Sequence, residues 1–265
     1  MSAAAIARSG TLGQIGLLAG RSALHAIRTP AQLIFPIVFP LVLLAVNTSG
    51  LDAATQLRGF PTESYLDFAL AVPFMQGALF AALNGGQDLA RDIEHGFMDR
   101  LALTPMSGTA LLVGQLGGAL FTGILSAFIY LFVGLAIGAG IAAGAGGALV
   151  LIVLAVTICM AFACFGTFVA LRAGSGQAVQ GFFPLFFVML FLSSAFFPRD
   201  LIEQDWFRTV ATYNPVSYMV EGIRSLVITG WDAGALWPAF AISAGVIAVF
   251  LALSARALKT RLLRT

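Results

Sequence analysis

Lysine occurs once in these 265 residues, at Lys259; histidine occurs twice, at His25 and His95, and cysteine twice, at Cys159 and Cys164. Each scarcity excludes a chemistry. A phosphate-binding loop requires Gly-x-x-x-x-Gly-Lys-Ser/Thr, with the lysine reaching the nucleotide phosphates. Lys259 follows "SARAL", with no glycine in place, so the chain holds no nucleotide-driven motor of its own and is not expected to be an enzyme. Neither histidine falls in an apolar run, so the serine of "AGSGQ" at 173 to 177 has no base and reads as part of a flexible turn. His95 beside Glu94 is a poor metal site, because adjacent helical residues diverge by about 100° and no second histidine is near. The two cysteines are five positions apart in one apolar segment, face different ways on a helix and form no unstrained bridge. No catalytic residue, metal site, resident cofactor or nucleic-acid partner is expected.

Charge is scarce as well. Only 10% of residues carry it, against 59% apolar residues, 23 phenylalanines and a mean hydropathy of +0.95, far from a soluble balance. The chain reads as an all-α integral membrane protein. No basic cluster precedes a short apolar run near the start, so no cleavable signal peptide is expected. Uncharged runs of about 20 residues, the length that crosses the hydrocarbon as a helix, lie near 33 to 51, 64 to 87, 178 to 198 and 233 to 255. Leu101 to Leu171 is uncharged throughout and too long for one helix, and "GAGIAAGAGG" at 138 to 147 is the place for a turn, which makes six spans. Pro36, Pro40, Pro73 and Pro184 fall inside them and predict kinks whose freed carbonyls need partners on neighbouring helices.

Six spans put both termini on one side. Ten basic residues fall on that side (Arg8, Arg21, Arg28, Arg91, Arg100, Arg172, Arg256, Lys259, Arg261 and Arg264) against four on the other (Arg58, Arg199, Arg208 and Arg224). The excess places both termini in the cytoplasm of a multi-pass cell-membrane protein. Residues 1–32 then form a cytoplasmic or interfacial segment, 33–256 the spans, and 257–265 a basic tail that anchors the last span at the headgroups. Within the first segment Arg21, His25 and Arg28 form a basic stripe, giving either an amphipathic helix on the inner membrane surface or, because Gly10, Gly13, Gly16 and Gly20 weaken it, a solvated stub.

Six of the thirteen positions from Asp88 to Arg100 are charged, within "ARDIEHGFMDRLALTPMSG" at 90 to 108. Leu89, Ile93, Phe97 and Leu101 recur every four residues, so the stretch predicts an amphipathic helix under the membrane, ended by Pro105. Periodicity alone makes it an ordinary interfacial helix with a solvated face.

The order Glu94, Gly96, Phe97-Met98, Asp99-Arg100-Leu101, Thr104-Pro105, Ser107 resembles the cytoplasmic signature between spans two and three of type-2 ATP-binding-cassette (ABC) permeases. Downstream, "SSAFFPRDL" at 193 to 201 and "YNPVSYMVEGIRSLVITG" at 213 to 230 look like that family's fifth span and outer re-entrant segment, with Phe-Pro, Asn-Pro and Glu-x-x-Arg landmarks. The similarity runs over nearly the whole chain, nearest in flavour to drug-export permeases of the daunorubicin-resistance type. It implies a coupling helix between spans two and three, with Asp92, Glu94, Gly96, Phe97, Arg100, Leu101 and Pro105 docking a separate cytoplasmic ABC ATPase that binds ATP and Mg. It implies a second permease subunit, identical or different, and transport of a hydrophobic or amphiphilic drug or lipid-like substrate out of the cell.

The resemblance also implies that spans two and five border the substrate path. Phe183, Phe186, Phe187 and Phe191 crowd the fifth; Phe68, Phe74, Met75, Gln76 and Phe80 stand in the second. Such aromatics suit planar or acyl-bearing amphiphiles, or else they face lipid. Two other readings stay open: export of a lipid-linked glycan within the same family, and an ion-coupled carrier, which would need mid-membrane carboxylates where Asp67 and Glu221 lie near the boundary. Gly114, Gly117, Gly118, Gly123 and Gly134 in span three serve either the fold or a subunit contact.

Overall fold

The computed structural model describes residues 10–96 and 108–262, all of it helix and connecting turns. Helix α1 (Thr11–Arg28) is followed after one residue by α2 (Pro30–Leu51), since Pro30 suits a first helical turn and Thr29 leaves helical geometry to make the elbow. Among the described residues, five helical stretches are long and apolar enough to cross a membrane: Leu33–Gln56, Tyr65–Glu94, Ala110–Ala136, Gly144–Ala173 and Ala233–Arg261. The chain is a multi-pass membrane protein. The second stretch consists of α3 (Tyr65–Ala69) and α4 (Ala71–Glu94), and 89% of its most apolar window is buried, against 17% for the first stretch and 11% for the last. α4 is therefore the axis of the array.

Around α4 pack α6 (Gly117–Ala136), which continues α5 (Gly108–Gln115), and α7 (Gly144–Ala173). The turn between α6 and α7 falls at 137–143, inside the glycine-rich stretch that predicts it. α7 crosses α4 backbone to backbone: a Cβ on Gly166 would lie 2.3 Å from the Ala82 carbonyl oxygen. Five of the glycines in α5 and α6 have the same kind of use within this chain. Gly114, Gly117 and Gly118 admit Leu18, Ala19 and Ser22 of α1, while Gly123 faces Cys159 and Gly134 faces Leu70. Their close contacts serve the fold.

Two expected boundaries differ. Span 178 to 198 is not one helix but α8 (Gly176–Gly181), α9 (Phe183–Phe191) and a run of turns, because Pro184 supplies no N–H and starts a new helix. The charged stretch from Asp88 does not begin its own helix either. α4 runs on through Gly85 and Gly86 to Glu94, with Leu89, Ala90 and Ile93 buried against protein, and ends where Gly96 takes a left-handed φ of 64°. After α10 (Asp205–Tyr213) and α11 (Pro215–Ile228), α12 (Ala233–Leu262) carries the chain back and continues through the first residues of the basic tail.

Contacts fix which ends meet. The α6–α7 turn bonds the end of α11 through Ala142 N–H to Val227 O at 3.0 Å, and Gly140 N–H donates to Asp67 at 2.9 Å. At the opposite end α1, the last turns of α4, the C-terminus of α7 and the end of α12 come together, with Arg261 donating to Leu171 O at 3.3 Å.

Candidate functional site

The end of the array that holds the expected coupling residues is built from two helices with matched charge spacing. Arg21 and His25 are four apart on α1; Asp88 and Asp92 are four apart on α4. Four residues return a helix to nearly the same face, so the pairs align. Arg21 grips Asp92 with both terminal nitrogens, at 2.9 and 3.0 Å, and His25 Nε2 lies 3.6 Å from Asp88. The basic stripe on α1 therefore faces protein carboxylates at two of its three positions. The equal spacings were the available signal in the sequence.

Two residues on, Glu94 reaches across the array and accepts a hydrogen bond from Gly176 N–H at 3.2 Å, at the start of α8. Gly96 is the left-handed residue that ends α4. Asp92, Glu94 and Gly96 thus sit together where α4 meets α1 and α8. Phe97, Arg100, Leu101 and Pro105 lie outside the described residues.

The residues expected along a substrate path separate into three settings. Phe68 and Phe74 are enclosed, Phe68 beneath the Arg224 guanidinium at 3.6 Å and Phe74 edge-on to Tyr130 at 5.6 Å. Met75 and Gln76 are buried too, and Gln76 Oε1 has no hydrogen-bond partner among the described residues. Phe80, which also meets Phe35 and Phe39 of α2 edge-on at 5.3 and 5.9 Å, leads into an aromatic seam: Phe80 to Phe183 at 5.4 Å, Phe183 to Phe187 at 4.9 Å and Phe187 to Phe191 at 6.3 Å. At the far end Phe191 is 56% exposed and stacks on Phe196 at 5.0 Å. Phe186 turns away to a separate knot with Phe162 and Phe165 of α7.

Beyond Phe191 the two downstream motifs prove to be one folded unit. Asn214, Ser217, Glu221 and Arg224 lie along one stripe of α11, and each holds the segment that follows α9. Asn214 caps α11 by accepting from Val216 N–H and donates to Met189 O at 2.6 Å and Leu192 O at 3.1 Å. Ser217 accepts from Ser194 N–H at 3.0 Å. Glu221 pairs with both Nε and Nη2 of Arg199. Partial burial works against the charged guanidinium there, but Glu221, helped by Tyr218, outweighs it and the Arg199 pKa is raised above its ordinary value. Arg224 is buried and donates to Phe68 O, Ser194 O and Ala195 O at 3.2, 3.0 and 2.9 Å. These carbonyls would otherwise face an apolar interior unpaired. No cluster of three or more metal-ligating side chains occurs among the described residues.

The sequence profile of the ABC-2 type transporter family matches residues 13–228. The chain is similar to the daunorubicin resistance ABC transporter permease protein DrrB1 of Streptomyces coeruleorubidus, with 28% identity over 235 residues covering 86% of this chain and 79% of the relative. It is also similar to the putative transport permease ycf38 of Porphyra purpurea, with 28% identity over 226 residues covering 83% and 76% of the two chains.

Proposed function

This chain belongs to the ABC-2 type transporter family, a membrane transport component rather than a catalyst, and from that premise we propose that it is the permease subunit of an ATP-driven exporter. It crosses the membrane six times, the broken α8–α9 segment supplying the fifth crossing and α10–α11 a re-entrant hairpin on the outer side, with both termini in the cytoplasm. ATP and Mg belong to a separate ABC ATPase, because the only lysine stands in no P-loop. Two permease subunits pair to make the path.

The observation that carries this reading is the reach of α4. One unbroken helix joins the enclosed core to Asp92 and Glu94, a rise of about 36 Å, and Glu94 is tied through Gly176 to the segment that bears the aromatic seam. Movement imposed on the residues that follow Glu94 is passed to α4 and α8 together. The segment 92 to 105 is the coupling surface in this account.

The substrate is a planar or acyl-bearing amphiphile that meets Phe80, Phe183, Phe187 and Phe191. Each aromatic contact contributes about 0.5–1.5 kcal/mol beyond burial, so several hold a flat molecule without a buried charge. Gln76, one turn from Phe80 on the same face, offers an acceptor oxygen that orients it. Support also comes from the drug-resistance function in the name of the Streptomyces relative. The test is to replace Phe183, Phe187 and Gln76 singly by alanine and to follow both drug accumulation and surface glycolipid. A drug-efflux defect at normal protein level supports the reading; loss of surface glycan alone transfers it to a lipid-linked glycan, and no effect on either returns the seam to a lipid-facing role.

A further inference from the structure

One cation of the basic tail is put to internal use. Arg261, in the last turn of α12, directs its guanidinium at the end of α7, where Nη1 donates to Leu171 O at 3.3 Å. Leu171 stands two residues before the end of α7, and carbonyls at such a place lack a partner within their own helix. The negative end of the helix dipole favours a cation there as well. The turn that follows is shaped to receive it. Gly174 takes a left-handed φ of 70° and returns its N–H to Ala170 O at 2.8 Å, and a Cβ on it would lie 3.0 Å from Arg261 Nη1. Glycine thus serves both the turn and the close approach of the guanidinium.

Directly beyond this turn α8 begins, with Ser175 accepting from Ala178 N–H at 3.3 Å and Gly176 N–H given to Glu94. The short connection between α7 and α8 is therefore held from α12 through Arg261 and from α4 through Glu94. A second contact joins the same helices. Leu258, three residues before Arg261 and on the same face of α12, is 2% exposed in a cluster with Leu89 and Ile93 of α4, Leu171 of α7 and Val179 of α8. Leu258 fixes where α12 ends, and Arg261 fixes the turn. Without that second hold, a pull from Glu94 on Gly176 would be taken up by the two glycines of the connection. With it, the turn keeps its place on α12 and the pull reaches that helix.

We propose that Arg261 is a positioning residue for energy coupling: it clamps the α7–α8 turn so that Gly176 meets Glu94 and movement of α4 is passed on to α12. The inference rests on segment 92 to 105 being the coupling surface. It adds the last helix to the parts that move together, and it gives a residue of the basic tail a task distinct from anchoring at headgroups.

The test compares the full-length wild type with Arg261→Met, which keeps the apolar stem but loses the charge and the donors, and Arg261→Lys, which keeps a charge and a donor. In the chain alone, in lipid nanodiscs, amide hydrogen exchange over residues 172–180 should rise about two- to fivefold in Arg261→Met, the loss of one cation at a helix C-terminus. Exchange in α6 should not change, and Arg261→Lys should return the turn toward wild type. In vesicles that also hold the proposed ABC ATPase subunit, Arg261→Met should lower the maximal ATP-driven uptake of a fluorescent planar amphiphile about fivefold or more. The half-saturating concentration of the amphiphile should stay as in wild type, and Arg261→Lys should recover most of the rate. Wild-type exchange in Arg261→Met would overturn the proposal, as would raised exchange with unchanged uptake, the mark of a purely structural cap. A changed half-saturating concentration at an unchanged maximal rate would overturn it too. No ATP-driven uptake by the wild type itself would instead overturn the exporter reading, and this inference with it; the exchange measurement, which needs no ATPase, tells the two failures apart.

Discussion

The hydroxyl of Tyr130 on α6 donates at 2.5 Å to the carbonyl of Pro36 on α2, and Pro36 is the residue whose carbonyl Pro40 leaves without its helical N–H donor. In an apolar surrounding that orphan would be costly. Gly77 of α4 makes the room, since a Cβ there would lie 2.7 Å from the Tyr130 ring. Three helices are thus joined by two prolines, one tyrosine and one glycine. Tyr130→Phe should cost about 0.5–2 kcal/mol, read as a lowered thermal midpoint in detergent. In a Pro40→Ala background the backbone supplies the missing N–H and most of that cost should vanish. An equal cost in both backgrounds would refute the account of the kink.

Gly166→Ala should destabilise strongly, because its methyl would stand 2.3 Å from the Ala82 carbonyl oxygen and backbone must move. About 1–3 kcal/mol is expected for such overpacking. Gly140→Ala, which has open space around it, should be nearly silent. Thermal unfolding of the two variants side by side checks the α4–α7 crossing.

Removing Arg224 should be among the most damaging single changes at the end that holds α11. Arg224→Ala strands three carbonyls and the ring of Phe68, and about 3 kcal/mol or more should be lost. Arg224→Lys keeps the charge but not the planar fork and should recover only part of it. A thermal midpoint for Arg224→Ala equal to that of the wild type would contradict the role given to this side chain.

The Arg21–Asp92 pair separates stability from coupling. Arg21 is 42% exposed, so either single charge reversal should cost about 1 kcal/mol or less of stability. Export should suffer more, since the pair fixes the end of α4. Exchanging both charges together should restore transport toward wild type; a double reversal as defective as the singles would deny the pair its positioning role.

Much of this arrangement was legible in the sequence, and what was not has identifiable causes. Long uncharged runs mark the apolar helices, and glycines at 138 to 147 mark the turn. The need of the prolines for partners on other helices was foreseeable, though not that Tyr130 would meet it. The continuation of α4 to Glu94 was hidden because charge at Asp88 suggests a new surface helix, whereas Leu89, Ala90 and Ile93 stay buried against protein. Arg224 reads from position alone as one more basic residue near a boundary. Its burial depends on carbonyls 29, 30 and 156 residues away, which local pattern does not reveal. The four-residue spacings of Arg21 with His25 and of Asp88 with Asp92 were visible, but pairing them requires knowing that α1, packed on α5 and α6, brings its basic side chains to the end of α4.

The most direct test of the central claim is transport in proteoliposomes that contain the chain with or without the proposed ABC ATPase subunit. Uptake of a fluorescent planar amphiphile into inside-out vesicles would be followed after adding ATP and Mg, and again under an imposed proton gradient without ATP. ATP-dependent uptake should appear only when both subunits are present, and Glu94→Arg should abolish it while leaving the chain folded and inserted. Gradient-driven uptake by the chain alone, or unchanged ATP-driven uptake by Glu94→Arg, would contradict the account.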